Sequence, residues 1–239
     1  RIAGDHYVDK TFFVAELLQD RSPVLLLPRP RRFGKTLNLS TLRCFVERPV
    51  GASGQADEVR RAFSGLVIEK AGEAVWRYFQ RHPVIFLTFK DLREPTLSSR
   101  ASISDLIANE AIRLAPVIEP VLTSAELEQW RVLVSASNAA EGKELALLQL
   151  SRWLHHATGE KAFILIDDYD APTHFLGDDS RYTEIVGVYR TLLSAGLKDN
   201  PHLEKGILTG ILRVAKESMF SGLNNLEVYS LLRKPYGAA

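Results

Sequence analysis

A chain of 239 residues, 46% hydrophobic and 25% charged with a formal net charge of +1, has an ordinary globular composition and length enough for one large core. The near-neutral balance gives no global pointer to nucleic acid or to a membrane surface, and no apolar run approaches the ~20 residues of a spanning helix. Cys44, the single cysteine, excludes an internal disulfide and fits a reducing compartment, so the expected location is cytoplasmic. No secretory leader is evident, and an opening at Arg1 without methionine suggests an excerpt from a longer protein.

Tyr7–Leu18, YVDKTFFVAELL, ends in a helical pattern that Asp9 or Thr11 can cap. Two readings stand side by side: Tyr7 and Val8 line an adenine pocket, or the segment is a helix covering the sheet edge. Val24–Leu27 is a short unbroken apolar run bounded by prolines, hence a buried strand. A Pro/Arg turn, then Gly34-Lys35-Thr36, leads into a helix with Leu39, Leu42, Phe45 and Val46 on one face. Cys44 within it is expected to pack in the core.

Strand, glycine turn, Lys-Thr and helix make up a phosphate-binding loop. Amide groups at a helix start face the anion, Lys35 reaches the β- and γ-phosphates, and the Thr36 hydroxyl ligates Mg²⁺. The match to GxxxxGK[ST] is incomplete, because Arg29 takes the first glycine position. A Cβ at Gly34 is expected to crowd backbone against phosphate. The plainer alternative is a strand–turn–helix with a solvated basic turn.

Arg48–Arg60 reads as a loop, Leu66–Phe79 as a helix and Val84–Phe89 as a second strand. Lys90 and Asp91 at its carboxyl end belong either to a site or, the preferred reading, to the cap of the next turn. Helices are expected over Ser98–Leu114, Ser124–Val134 and Glu144–His156, with His155 and His156 structural. Ala162–Ile166 is a third strand running into Asp167-Asp168-Tyr169-Asp170. There the first acid would hold Mg²⁺ and the second would orient the attacking water, the alternative being an acidic turn. A helix over Tyr182–Leu193, a strand over Gly206–Thr209 and a short strand over Glu227–Leu232 complete the chain.

Loop and acidic strand in this order, with a strand between them and a polar-ended strand after, predict an α/β P-loop NTPase. The architecture expected is a three-layer sandwich whose parallel sheet of about five strands has the AAA-type order 5-1-4-3-2, with helices on both faces. Residues 1–22 would pack near the nucleotide pocket and 23–239 would form the core.

The runs RPRRFGKTLNLS, PVIFLTFKD, ILIDDYDAP and LTGILRVAKESMFSGLNNLEVYSLL resemble the predicted AAA-ATPase-like proteins of bacteria and archaea, which commonly carry a carboxyl-terminal PD-(D/E)XK nuclease domain. The resemblance spans Tyr7 to about Leu232, and the family tolerates arginine at the position of Arg29. It implies ATP and Mg²⁺ as ligands, a phosphate cradle of Arg32, Phe33, Gly34, Lys35 and Thr36, and metal binding by Thr36 and Asp167. It also implies a polar sensor at Thr209 and a charge-stabilising Arg213, which could equally pair with a surface carboxylate.

Family members usually have Asp-Glu-Tyr-Asp where this chain has Asp167-Asp168-Tyr169-Asp170. Asp168 therefore reaches about 1.5 Å less far, and misplacements of ~1 Å can cost ~10²-fold in rate. Neither the helical lid nor a nuclease core is expected in this chain, and the E-x-K spacing of Glu141-Gly142-Lys143 is coincidental. The implied function is Mg²⁺-dependent ATP hydrolysis driving conformational change. The alternative is a nucleotide-gated switch with little turnover, controlling an attached nuclease or another partner. Direct nucleic-acid contact is not expected, because Arg29, Arg31 and Arg32 are better placed for nucleotide phosphates. Oligomerisation is left open.

Overall fold

The computed structural model describes residues 8–50, 55–90, 99–135, 143–171, 180–211 and 225–229. Its strands are β1 (Val24–Pro28), β2 (Val84–Thr88), β3 (Ala162–Asp167), β4 (Leu203–Gly210) and β5 (Leu226–Val228). They pair in parallel as one sheet in the order β2-β3-β4-β1-β5, which read from the other edge is 5-1-4-3-2. β1, and β3 as far as Ile166, are apolar because both sheet faces are covered.

Alternation along each strand sorts the core into two clusters. Leu25, Leu27, Val84, Phe163, Leu165 and Ile207 face one side, against α1 (Phe12–Gln19), α2 (Lys35–Val46), a 3₁₀ turn at Val67–Ala71 and α4 (Glu73–Trp76). Val24, Leu26, Ile85, Leu87, Ile164, Ile166 and Leu208 face the other. There they meet α5 (Ser99–Ile118), α6 (Ser124–Val134), α7 (Ala146–Thr158) and α8 (Ser180–Leu197).

Several sequence expectations change. The stretch read as a loop over Arg48–Arg60 contains the start of α3 (Gln55–Phe63), which has acids in its first turn and arginines in its last, matching the helix dipole. The helix expected over Leu66–Phe79 is broken at Gly72, whose φ of 77° ends the 3₁₀ turn and starts α4. Cys44 is exposed rather than packed in the core. It lies off the stripe formed by Leu39, Leu42, Phe45 and Val46, all buried. Asp9 and Thr11 do begin α1, but the Thr11 hydroxyl turns inward. It donates to Asp9 Oδ1 (2.6 Å) and accepts from the Ile68 amide (3.1 Å), fastening the 3₁₀ turn.

β2 is an edge strand, and α5 closes its open side. Glu110 accepts from the Phe86 amide at 2.6 Å, while Arg113 donates to the Val84 carbonyl (2.7 Å), to Glu110 (2.7 Å) and to Glu47 (2.6 Å). Unpaired ladder groups are thus capped by side chains, which keeps the edge from pairing with another chain. Arg113→Met would leave Glu110 without its cation and Glu47 with Arg43 alone. Because 28% of the Arg113 side chain is exposed, the loss should be about 2–3 kcal/mol, below that of a fully buried pair. Urea unfolding measures it.

At the opposite end of the strands from the loop, His155 and His202 meet through their Nδ1 atoms at 3.0 Å, so one must donate and the other accept. Burial, and then the charges of His155, Arg152 and Lys161, lower the His202 pKa below its usual 6.5. The unfolded chain therefore binds the proton more readily than the fold. Stability should fall as pH drops through ~6.5 toward the lowered folded value, and recover above it. A thermal-melt series from pH ~7 to ~5 should be flatter for His202→Gln than for the parent. Lys143 is buried and donates to Ser104 Oγ (2.8 Å) and the Ser135 carbonyl (2.5 Å), so it ties α5 to the end of α6. Glu141 and Gly142 lie outside the described residues.

Candidate functional site

Strand register assembles the site. Leu27 pairs with Thr209 and Thr88 with Asp167, while Ile166 opposite Leu208 brings Asp167 beside Thr209. These four residues form a transverse row near the carboxyl ends of the strands. By alternation their side chains lie on the α2 side of the sheet, where the helix start lies. Asp167 is fully buried and accepts from three donors: Thr36 Oγ at 2.6 Å, Thr209 Oγ at 2.7 Å and the Asp168 amide at 3.1 Å. A carboxylate from β3 is thereby joined to the second residue of α2 and to the end of β4.

The loop between β1 and α2 turns through two left-handed residues, Arg32 (φ 67°) and Gly34 (φ 78°). An added Cβ at Gly34 meets no described protein atom within 4 Å, so within the chain itself the glycine answers to its positive φ. The Lys35 ammonium folds back onto its own loop, donating to the Arg29 carbonyl (3.3 Å) and the Pro30 carbonyl (3.2 Å). Both bonds are long, and an anion in the loop could replace them. Arg29 itself is buried and points away from the loop, donating to the Tyr229 carbonyl at 2.7 Å and so tying β1 to β5. An arginine where the general motif has glycine is thus a structural tie.

A cleft of ≈ 780 Å³ opens beside this row, reaching it through Thr36 and Asp168, the hydrogen-bond and chain neighbours of buried Asp167. Arg31, Arg32, Gly34, Lys35 and Thr36 line it from the loop, Leu37, Ser40, Thr41 and Cys44 from α2, and Lys90 and Asp168 from the ends of β2 and β3. Lys90, read from sequence as the cap of a turn, therefore faces the cleft. The clue was parity: Lys90 is two residues beyond Thr88 and so shares its side of the sheet. Cys44 was missed in the same way, since it falls on the helix face carrying Leu37 and Thr41.

Asp168 holds a left-handed backbone (φ 51°), a conformation that aspartate tolerates better than most residues. The next two residues lock the turn. Tyr169 is buried, its amide donates to the Thr209 carbonyl (3.0 Å), and Tyr189 on α8 donates to its carbonyl (3.0 Å). Asp170 accepts from the Ile211 amide at 2.9 Å. Gly210 is required for this contact, because a Cβ there would stand 2.4 Å from the Tyr169 ring and 2.6 Å from Asp170 Oδ1. Burial, and then Asp170, raise the Tyr169 pKa, so its phenol stays protonated.

Phe33 is 44% exposed and Val8 72% exposed, and neither lines the cleft. Tyr7 and Arg213 lie outside the described residues. Among the described residues no group of three or more metal-binding side chains occurs. The oxygen pair of Thr36 and Asp167 is nevertheless the hard donor chemistry that suits Mg²⁺, a cation that keeps several of its waters and needs few protein ligands.

A family model described as a predicted AAA-ATPase matches residues 1–220. The chain belongs to this AAA-ATPase-like family. An uncharacterized protein in the vnfD 5′ region of Azotobacter chroococcum mcd 1 is 31% identical over 229 residues, covering 95% of this chain and 37% of that protein. The chain thus spans little more than a third of the relative's length. No solved structure matches it. Among the described residues, no helix of this AAA-ATPase-like domain is long and apolar enough to cross a membrane.

Proposed function

We propose that this domain binds Mg²⁺–ATP in the cleft above the Thr36–Asp167–Thr209 row and hydrolyses it, with turnover changing its conformation. The observation that carries the reading is the meeting of those three side chains beside the Lys35 loop, at the carboxyl end of a parallel sheet in a member of this family. Amides from Arg32 to Thr36 cradle the phosphates. Lys35 would leave its loop carbonyls for the β- and γ-phosphates, and Thr36 and Asp167 would hold the metal. A magnesium ion there supplies neutralisation of the charge on the phosphate oxygens. Asp168 orients the attacking water, Thr209 reports the state of the γ-phosphate to β4, and Arg213 is the candidate for stabilising transferred charge.

A second reading is favoured by Asp168, whose short side chain sits at the position expected to activate water. In it, nucleotide occupancy rather than turnover controls an attached nuclease or another partner in a longer cytoplasmic protein. A calorimetric titration with Mg²⁺–ATP run beside a phosphate-release assay separates the two. Binding with steady release supports the ATPase, binding without release supports the switch, and no binding overturns both. Asp168→Glu should raise the hydrolysis rate by up to about 10²-fold if the missing methylene is limiting. An unchanged rate assigns the slow step elsewhere.

A further inference from the structure

Lys90 stands at the end of β2, exposed and on the cleft, and among the described residues no hydrogen bond or ion pair engages its ammonium. Its amide is held, loosely, by Thr88 Oγ at 3.4 Å. The register places it well. Thr88 is the lateral neighbour of Asp167, and the Phe89 amide donates to the Asp167 carbonyl at 3.0 Å. Adjacent strands lie ~4.8 Å apart and two residues advance a strand by ~6.6 Å. Lys90 therefore rises one step above the Asp167 row, on the same side of the sheet, across the cleft from the loop that carries Lys35. A lysine stem is long enough to bring its charge back over that row.

We propose that Lys90 is a second phosphate-binding cation, which meets the γ-phosphate from the β2 side and distinguishes nucleoside triphosphate from diphosphate. This rests on the nucleotide-binding reading above. Lys35 approaches from the helix start, so its contacts span both distal phosphates. Lys90 comes from the strand end beyond Asp167, where it would meet the terminal phosphate alone. A compact ammonium suits this role, because it serves as a point charge without needing a fixed fork geometry. The competing role is a partner for Asp168, which lines the same cleft. That role carries no preference between tri- and diphosphate.

Calorimetric titrations of the parent, Lys90→Met and Lys90→Arg with Mg²⁺–ATPγS and with Mg²⁺–ADP test the assignment. Lys90→Met should weaken the triphosphate analogue about tenfold and ADP less than about twofold, with Lys90→Arg close to the parent. Equal losses for both nucleotides, or no loss for either, would overturn it in favour of the Asp168 pairing or a solvated side chain. A parent protein that binds neither nucleotide overturns the binding reading itself, and the role of Lys90 with it. Exposed Lys90 carries no core packing, so urea unfolding of Lys90→Met should match the parent.

Discussion

Lys35→Ala should lower affinity for Mg²⁺–ATP about 10²-fold while leaving the fold intact. The two halves of this expectation have separate physical origins. Among the described residues the ammonium donates at 3.3 and 3.2 Å to the Arg29 and Pro30 carbonyls, which water can satisfy once the side chain is gone. Stability should therefore change by less than about 1 kcal/mol in urea unfolding. Toward a triphosphate the same ammonium gives charge-assisted bonds at the start of a helix, where dipole and amides already favour an anion. Nucleotide titration beside urea unfolding checks both halves. Unchanged affinity in a folded variant would remove the loop from the binding site.

Asp167→Asn should cut hydrolysis by about 10²–10³-fold and remove most of the advantage that Mg²⁺ gives to nucleotide binding. The carboxylate accepts from the Thr36 hydroxyl, the Thr209 hydroxyl and the Asp168 amide in a fully buried position. An asparagine keeps one acceptor oxygen and offers an NH₂ group. One threonine hydroxyl can rotate to accept from it, so the network can be refilled without a stranded polar atom. The lost charge cannot be refilled. Asp167→Ala should instead destabilise the fold, by about 1–3 kcal/mol for each donor left unsatisfied. Titration with ATP in the presence of Mg²⁺ and of EDTA, with phosphate release, reads the functional half. Equal Mg²⁺ dependence in parent and Asp167→Asn would take the metal away from this carboxylate.

Sheet, loop and acidic strand were legible along the chain because each is a local pattern. Val24–Leu27 and Ala162–Ile166 are apolar over their whole length, and Gly34-Lys35-Thr36 follows the first strand directly. Their order already implied 5-1-4-3-2. Local patterning failed where two signals competed. Arg48–Arg60 carries Gly, Ser and Pro early, which hid a charged helix beginning at Gln55. Leu66–Phe79 has helical spacing, but Gly72 adopts a positive φ and divides it.

Sequence alone determined that a lysine and an acid would lie at the same end of a parallel sheet, since a strand carries its ends wherever pairing takes it. Only the tertiary structure decided which polar groups meet there. It joined Thr36 to Asp167 across 131 positions of sequence and set Thr209 against the same carboxylate. It also sent Arg29 to brace β5, brought Lys90 onto the cleft and turned α5 into the cap of the β2 edge. Those outcomes depend on register and on which neighbour fills a hydrogen bond. Such choices are made between distant segments, and spacing along one segment carries no record of them.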